Sequence, residues 1–186
     1  MTEAKRSKLW MRRDDLEGLA EPVCPEGWFI RTYEAGDAPA WERIIAASFG
    51  EPISFAGKVA ERPSYRPDRV FFVCRGSEPV ATASALEPDE PETGETDAGY
   101  LHMVGALPAC AGLGIGYAVT LAALRKMKED GKRRALLKTD DDRLPAIRTY
   151  LKLGFMPDYR EADHPMRWDA IMLRVIREGE RLPRLG

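Results

Sequence analysis

Residues 107–116 read Leu-Pro-Ala-Cys-Ala-Gly-Leu-Gly-Ile-Gly, and they stand between a predicted strand and a predicted helix. The strand covers residues 100–107, is apolar on both faces, and is therefore expected in the middle of a sheet that is covered on both sides. The helix is expected to begin near Gly114 and to end at residues 130–131. Both the fold and a ligand can be inferred from this strand, turn and helix.

The glycines of this turn predict a site for a phosphate or pyrophosphate. Gly112, Gly114 and Gly116 allow the backbone to approach a ligand closely, and the helix start adds unpaired N–H donors and the positive end of its dipole. The alternative is a tight turn that merely packs the helix on the strand, and a glycine turn by itself leaves both interpretations open. A dinucleotide-binding fold is disfavoured, because it would place such a turn after the first strand rather than after about the fourth.

The rest of the chain predicts further strands and helices around this unit. Strands are expected at residues 28–33, from their aromatic and β-branched content, at 70–75, and at 79–86 as the probable antiparallel partner of 70–75. Further strands are expected at 134–139 and, shorter, at 155–159. The first helix covers residues 38–49, with Asp37 as its cap and Gly50 as its stop. The order is β-α-β-β-β-α-β-α, then a short strand and a helix, which indicates an α/β sandwich with a mixed sheet.

Two helices are expected in the C-terminal part of the chain. Pro145 opens the first of them, and its buried side is predicted to be Ile147, Tyr150, Leu151 and Gly154. The second follows Asp163 as a possible cap. Its apolar residues at helical spacing are Trp168, Ile171, Met172, Val175 and Ile176.

The chain of 186 residues is expected to form one main domain. Residues 1–26 are predicted to be an irregular N-terminal arm, residues 27–178 the domain, and residues 179–186 a C-terminal tail. Residues 87–97, which are rich in acidic residues and proline, are predicted to be an exposed loop.

Composition excludes several classes of function. The chain is 44% apolar and 31% charged, as soluble globular proteins are. Its net charge of -2 shows no excess of positive charge for binding nucleic acid. Three cysteines without metal-ligand spacing indicate a reducing compartment and no metal site. The charged N-terminus does not resemble a secretion signal, so a cytoplasmic location is expected. The uncharged residues 98–124 are long enough to span a membrane but contain Pro108 and several glycines, so no membrane partner is expected.

Two blocks of the sequence resemble one known family. Residues 108–116 resemble the acyl-CoA pyrophosphate loop of the GNAT acetyltransferases. Residues 146–155, Ala-Ile-Arg-Thr-Tyr-Leu-Lys-Leu-Gly-Phe, resemble the family's later helix, which commonly ends in Tyr-x-x-x-Gly-Phe. The blocks occur in the family's order with a strand between them. The resemblance implies an α/β (α+β) fold with a mixed, mostly antiparallel central sheet flanked by helices. The chain departs from the family at its end, where a helix is predicted and many relatives have a strand hairpin.

The resemblance also implies acetyl-CoA as cosubstrate and a set of residues that bind it. Ala111 stands where the family's loop usually has Gln or Arg, and Arg143 stands where the family commonly has Asn. Gly114 and Gly116 match the loop's last two positions. The expected cofactor-binding residues are Leu107, Ala109, Ala111, Gly112, Leu113, Gly114, Ile115, Gly116, Tyr117 and Arg143.

Two residues are candidates for catalysis. Tyr150 matches the position of the family's general acid, which protonates the leaving thiolate; otherwise it is an amphipathic residue on a buried helix face. His102 has a side chain suited to a general base, and the alternative is a histidine of the core. Glu51 and Glu61 are further candidate bases. Cys110 is interpreted as a small packing residue, because family members normally transfer the acyl group directly.

The sequence therefore predicts an N-acetyltransferase that transfers an acetyl group from acetyl-CoA to a primary amine of a small molecule or peptide. A non-catalytic acyl-CoA-binding sensor or interaction module of the same fold stays open as an alternative. A nucleotide-binding interaction domain is a third class, and it would bind NAD or ATP more tightly than CoA. A homodimer is also left open.

Overall fold

The computed structural model describes residues 6–88 and 95–180 of the chain. These residues belong to two compact units. The larger unit comprises residues 13–136, and the smaller unit comprises the residues up to 12 together with those from 137 onward. One strand, β6 (Arg134–Thr139), begins in the larger unit and ends in the smaller one.

The larger unit is built on an antiparallel sheet. Its strands are β2 (Trp28–Thr32), β3 (Val70–Arg75), β4 (Glu78–Leu86) and β5 (Ala98–Ala106), in the order β2-β3-β4-β5, with β6 beside β5. The mixed and mostly antiparallel sheet expected from the sequence is thus confirmed. Eight of the nine residues of β4 are buried, because helices cover both faces of this strand.

Two helices cover opposite faces of this sheet: α1 (Ala38–Phe49) and α2 (Ile115–Glu129). A side-chain carbon added at Gly105 would meet Ile45 and Ser48 of α1, and one added at Gly99 would meet Met127 of α2. Glycine is therefore required at both positions by the close packing of helix on strand. The apolar residues Trp41, Ile44 and Ile45 bury the inner side of α1, as the sequence predicts.

The ends of α1 confirm one predicted signal and correct another. Gly50 ends the helix with φ of 78° and donates its N–H to the carbonyl of Ala46. Asp37 stands at the N-cap position, but its side chain makes no capping hydrogen bond. The carboxylate instead accepts hydrogen bonds from the Arg31 guanidinium and from the N–H of Glu34. A charged partner on β2 outcompetes the neutral N–H groups of the helix.

Replacing Asp37 by Ala should destabilise the larger unit. The Asp37 carboxylate is largely buried, and its hydrogen bond with Arg31 holds its pKa below the ordinary value. Loss of the pair leaves Arg31 with an unpaired charge, so we expect a cost of about 1–3 kcal/mol in a urea titration at pH 7. Because the pKa is lowered in the folded state, this stability should be present above about pH 4 and lost as the pH falls through the folded pKa.

The control for this prediction is Lys128→Ala, which removes an exposed ion pair with Glu17. It should change the free energy of unfolding by less than about 1 kcal/mol. Equal effects of the two substitutions would contradict a special role for the Asp37 pair.

The smaller unit joins two strands and two helices. β1 (Leu9–Arg13) pairs antiparallel with β7 (Met156–Asp158), and the strand order within this unit is β6-β1-β7. The helices α3 (Leu144–Lys152) and α4 (His164–Glu180) pack against each other. The predicted terminal helix is thus present.

The prediction of an irregular arm over residues 1–26 is wrong for residues 9–13, which form β1. Leu9 and Met11 are fully buried, and Trp10 nearly so. Only three consecutive apolar residues mark this strand in the sequence, and its partner β7 lies more than 140 residues later in the chain. Nothing local could indicate that pairing.

Several predicted burial patterns also differ from the structure. On α3, Leu151 is only half-buried, and Gly154 beyond its end is exposed; on α4, Ile176 is exposed. On β5, residues 102–104 are half-buried, although the strand was expected to be covered on both sides. Most of the predicted acidic loop, residues 89–94, lies outside the described residues. Among the described helices, none combines the length and the apolar character needed to cross a bilayer.

Candidate active site

A β-bulge interrupts β5 shortly before the glycine turn. Thr82 of β4 pairs with Gly105, but Ser84 pairs with His102, so one residue of β4, Ala83, lies opposite two residues of β5, Met103 and Val104. Met103, at the bulge, has φ of 50°, which is unusual for a residue with a side chain. Such bulges redirect backbone groups and are frequent beside active sites.

The glycine turn follows β5 through one short 3₁₀ turn, Pro108–Cys110. Gly112 and Gly114 have φ of 81° and 73°, a conformation that other residues rarely adopt. Gly114 is the N-cap of α2, whose first residue is Ile115. The predicted helix start is therefore confirmed to within one residue.

The start of α2 presents a row of unused backbone donors. The N–H of Ala118 is the first to find an acceptor, the carbonyl of Gly114. In the part of the chain that the structure describes, the N–H groups of residues 114–117 have no backbone acceptor. The turn is open to solvent, since Ala111, Leu113 and Gly114 are exposed. Together with the helix dipole, these donors can bind an anionic group.

The glycines of the turn are not explained by close packing. A side-chain carbon added at Gly112, Gly114 or Gly116 would meet no atom within 4 Å, in contrast to Gly99 and Gly105. Gly116 also has no positive φ, so neither packing nor backbone conformation requires a glycine there. The open space over Gly116 therefore supports a ligand that approaches the backbone, and it disfavours the alternative of a turn that only packs helix on strand.

His102 lies on the same face of the sheet as α1. Its partner on β4, Ser84, is two residues from Thr82, so the two side chains lie on the same face of the sheet. Thr82 pairs with Gly105, and Gly105 faces α1. The ring Nε2 lies 3.1 Å from the carbonyl oxygen of Lys58, and the ring is tilted against Tyr100 at a centroid distance of 5.3 Å. His102 is half-buried rather than enclosed, so both the catalytic and the core interpretations of this residue keep some support.

Ser84 is a polar residue that the sequence analysis missed. It is fully buried opposite His102, and its hydroxyl has no hydrogen-bond partner among the described residues. Leaving a buried hydroxyl unpaired costs about 1–3 kcal/mol, and the hydroxyl of Thr139 is in the same state. No local pattern marks Ser84, because only the register of β4 against β5 brings it opposite His102.

Tyr150 and Arg143 belong to the smaller unit. Tyr150 lies on α3, is 5% exposed, and packs edge-on against Phe155 at 6.0 Å. Burial raises its pKa to about 12, while the positive charge of Arg143 acts in the opposite direction. Arg143 is the N-cap residue of α3 and is half-buried. The phenol is therefore neutral near pH 7 and holds its proton more firmly than an exposed tyrosine does.

The other candidate residues differ in accessibility. Cys110 is 4% exposed, in keeping with its interpretation as a packing residue. Glu51 and Glu61 are exposed. Among the described residues, no group of three or more His, Cys, Asp or Glu side chains could hold a metal ion.

Comparison with known proteins identifies related sequences and folds. The model of the acetyltransferase (GNAT) family matches residues 30–155. A mycothiol acetyltransferase from Actinosynnema mirum is 31% identical over 80% of this chain, and one from Thermobispora bispora is 30% identical over 83%. A GCN5-related N-acetyltransferase from Sphaerobacter thermophilus has a similar fold, with 21% identity, a TM-score of 0.62, and coverage of 81% of this chain and 48% of that one.

The chain spans about half the length of these curated relatives, 51% and 55% of the two mycothiol acetyltransferases. A shorter protein also has a similar fold: the ribosomal-protein-S18-alanine N-acetyltransferase from Escherichia coli, at 20% identity and a TM-score of 0.58, is covered over 86% of its length. The matched region includes the glycine turn and the helix with Tyr150.

Proposed function

Because the chain belongs to the acetyltransferase (GNAT) family, we propose that it transfers an acetyl group from acetyl-CoA directly to a primary amine of a small molecule or peptide. The observation that carries the proposal is the row of unused N–H donors at residues 114–117, beneath the open space over Gly116. Backbone donors and a helix dipole suit a pyrophosphate, and the phosphates of CoA have that chemistry.

The residues proposed to bind the cosubstrate are those of the turn and its flanks. Gly112, Gly114 and Gly116 let the backbone approach the phosphates, and the N–H groups up to Tyr117 donate to them. Ala111 contributes no side-chain donor, so the backbone carries most of the binding. The family resemblance adds Leu107, Ala109, Leu113, Ile115 and Arg143 to the proposed set.

The reaction needs a neutral amine, a polarised thioester carbonyl and a protonated leaving thiol. An alkyl amine has a pKa of about 10.4, so its neutral form costs on the order of 5 kcal/mol at pH 7, and a base reduces this cost. The acetyl carbon forms a bond to the amine nitrogen as its bond to sulfur breaks. The amine proton passes to His102, and the Tyr150 phenol gives its proton to the thiolate. A backbone N–H at the β5 bulge polarises the carbonyl.

A cytoplasmic location is part of this proposal. All three cysteines are free thiols, two of them buried, which supports a reducing compartment.

The second candidate function is a non-catalytic acyl-CoA-binding module. It is favoured by two observations: Ala111 lacks the usual side-chain donor, and β5 carries no carboxylate. Such a module would bind CoA as the enzyme does but would release no thiol from acetyl-CoA in the presence of an amine.

Ligand binding tests the proposal directly. We expect CoA at about a hundredfold over its dissociation constant to stabilise the protein by about 2.7 kcal/mol, whereas NAD at the same concentration should not. Thermal unfolding with each ligand measures the difference. Equal shifts with both ligands, or no shift with CoA, would reject the proposed site. Thiol release from acetyl-CoA with a panel of amines then separates the enzyme from the binding module.

A further inference from the structure

Helix α4 carries apolar side chains on two opposite sides. Trp168 and Ile171 are buried on its inner side. A helix turns about 100° per residue, so Met166 and Leu173, each two residues from one of them, point about 200° away. Met166 is 72% exposed and Leu173 is 56% exposed. The outer side of α4 therefore holds apolar side chains that the fold does not bury.

The exposed apolar residues form a continuous stripe along α4. Ala170 is also exposed, and Ile176 is 53% exposed. Met166, Ala170, Leu173 and Ile176 follow one another at intervals of four, three and three residues, which places them on one side of the helix. We call these four residues the outer face of α4. Single exposed apolar residues are normal, whereas a stripe of about three turns is typical of an interaction surface.

Two charged residues of opposite sign border the outer face. Asp169 lies towards its N-terminal end and Arg177 at its C-terminal end, and both are exposed. In the part of the chain that the structure describes, no ion pair involves either side chain. Both charges are therefore available to a partner that covers the stripe.

Two copies of α4 that run antiparallel bring their outer faces together in register. When Ala170 lies opposite Leu173 of the second copy, Met166 lies beside Ile176 of that copy. The two-fold axis repeats both contacts, since each residue meets its partner twice. A small residue opposite a large one lets the helices approach, so the stripe buries itself without a residue of another protein.

The charges select the antiparallel direction. In this register, Asp169 comes within one turn of Arg177 of the second copy, and symmetry forms the pair twice. In a parallel pair, Asp169 would meet Asp169 and Arg177 would meet Arg177, and these like charges repel. The outer face is thus complementary to itself in one orientation only.

The same charges disfavour a lipid surface as the partner. Helices that lie on a membrane border their apolar face with Lys and Arg, and Asp169 would be repelled by anionic headgroups. A helix seam of about three turns is also smaller than the roughly 1,200 Å² of a standard interface. The expected complex is therefore a weak dimer, with a dissociation constant above about 1 μM.

We propose that the outer face of α4 is a docking surface for α4 of a second copy of this chain, in antiparallel orientation, with the two-fold axis midway between Ala170 and Leu173. The apolar layers stabilise the dimer, and the pairs of Asp169 with Arg177 set its direction. The inference does not depend on the proposed acetyl transfer, because it uses no residue assigned to that reaction.

Sedimentation velocity of the full chain at about 1–500 μM tests the proposal. We expect the parent chain to dimerise with rising concentration. Leu173→Glu should raise the dissociation constant at least about 10-fold, because it places a charge in the apolar seam. Val23→Glu is the matched control: Val23 is 79% exposed and lies in the larger unit, so the same change there should leave the dimer intact. Both side chains are exposed, so unchanged circular dichroism is expected for both variants.

A charge exchange tests the orientation. Asp169→Arg and Arg177→Asp each place like charges together across an antiparallel pair, so each alone should raise the dissociation constant about 3-fold or more. The double variant restores both opposite-charge pairs and should dimerise as the parent does. In a parallel pair, each exchange would replace one like-charge contact by another and would weaken nothing.

Three results would overturn the docking surface. The first is a parent chain that stays monomeric over the whole concentration range; co-sedimentation with phosphatidylserine vesicles would then assign the outer face to a lipid surface. The second is a dimer that Leu173→Glu weakens no more than Val23→Glu does, since its interface would lie elsewhere. The third is a dimer that neither charge exchange weakens, which would exclude the antiparallel pairing.

Discussion

Replacing Tyr150 by Phe should lower kcat by about 100-fold or more and leave the affinity for acetyl-CoA nearly unchanged. The ring stays in its buried position on α3 against Phe155, and only the proton donor is lost. A 100-fold loss corresponds to about 2.7 kcal/mol in the barrier. The thioester binds similarly in both proteins because the phenol acts on the thiolate, which forms only during the reaction.

Burial makes the phenol a weaker acid than the sequence suggests. Its pKa of about 12 lies about 2 units above the ordinary value, which adds about 2.7 kcal/mol to the release of its proton. Transfer to a thiolate of pKa about 8.5 is then uphill by about 5 kcal/mol. This is well below the barrier of about 16 kcal/mol that corresponds to a turnover of about 10 per second. The transfer is thus feasible. Its uphill cost favours a step in which the thiolate is protonated as the C–S bond breaks.

Tyr159→Phe is the matched control, because Tyr159 lies in the same unit with an exposed phenol. It should keep the parent rate. The pH dependence of unfolding checks that the Tyr150 phenol is buried as described. Its folded pKa is raised, so its contribution to stability is full below about pH 10 and is lost as the pH rises to about 12. The parent should therefore lose more stability over that interval than Tyr150→Phe does. A Tyr150→Phe protein that binds CoA and turns over at the parent rate would refute the role of general acid.

Replacing Gly116 by Val should weaken CoA binding at least about 10-fold without unfolding the apo protein. A Cβ atom at Gly116 would meet no protein atom within 4 Å, so we expect the fold to tolerate the substitution. The branched side chain of Val occupies the space that the pyrophosphate needs above the backbone donors. A 10-fold loss corresponds to about 1.4 kcal/mol of binding free energy, which calorimetric titration measures.

Gly116→Ala is the control, because a single methyl group adds the least bulk above the backbone donors. It should stabilise the apo protein by up to about 1 kcal/mol, through better helix propensity, with a small effect on CoA affinity. A substitution at Gly114 is less informative, since its φ of 73° makes any side chain strained. Ala111→Gln should leave CoA binding unchanged or tighten it, by adding a donor. Unchanged affinity in Gly116→Val would remove the turn from the binding site.

Much of the fold was determined by local sequence. The strands β3 and β6 begin and end at the predicted residues, α1 covers residues 38–49 as expected, and Gly50 ends it in the left-handed conformation. The turn and the start of α2 were also predictable. In each case, the signal is carried by residues within one helical turn or one strand of each other, such as an apolar run, a proline or a glycine.

The tertiary structure alone decided the features that depend on distant partners. Strand β1 lies between β6 and β7, both distant in sequence, and Asp37 bonds to Arg31 of β2 instead of capping its own helix. Ser84 meets His102 only through the register of β4 on β5, which the bulge at Met103 shifts by one residue. Spacing along the chain specifies which face of its own element a residue occupies. Which residue lies opposite it is set by the pairing of strands, and a single inserted residue changes that pairing.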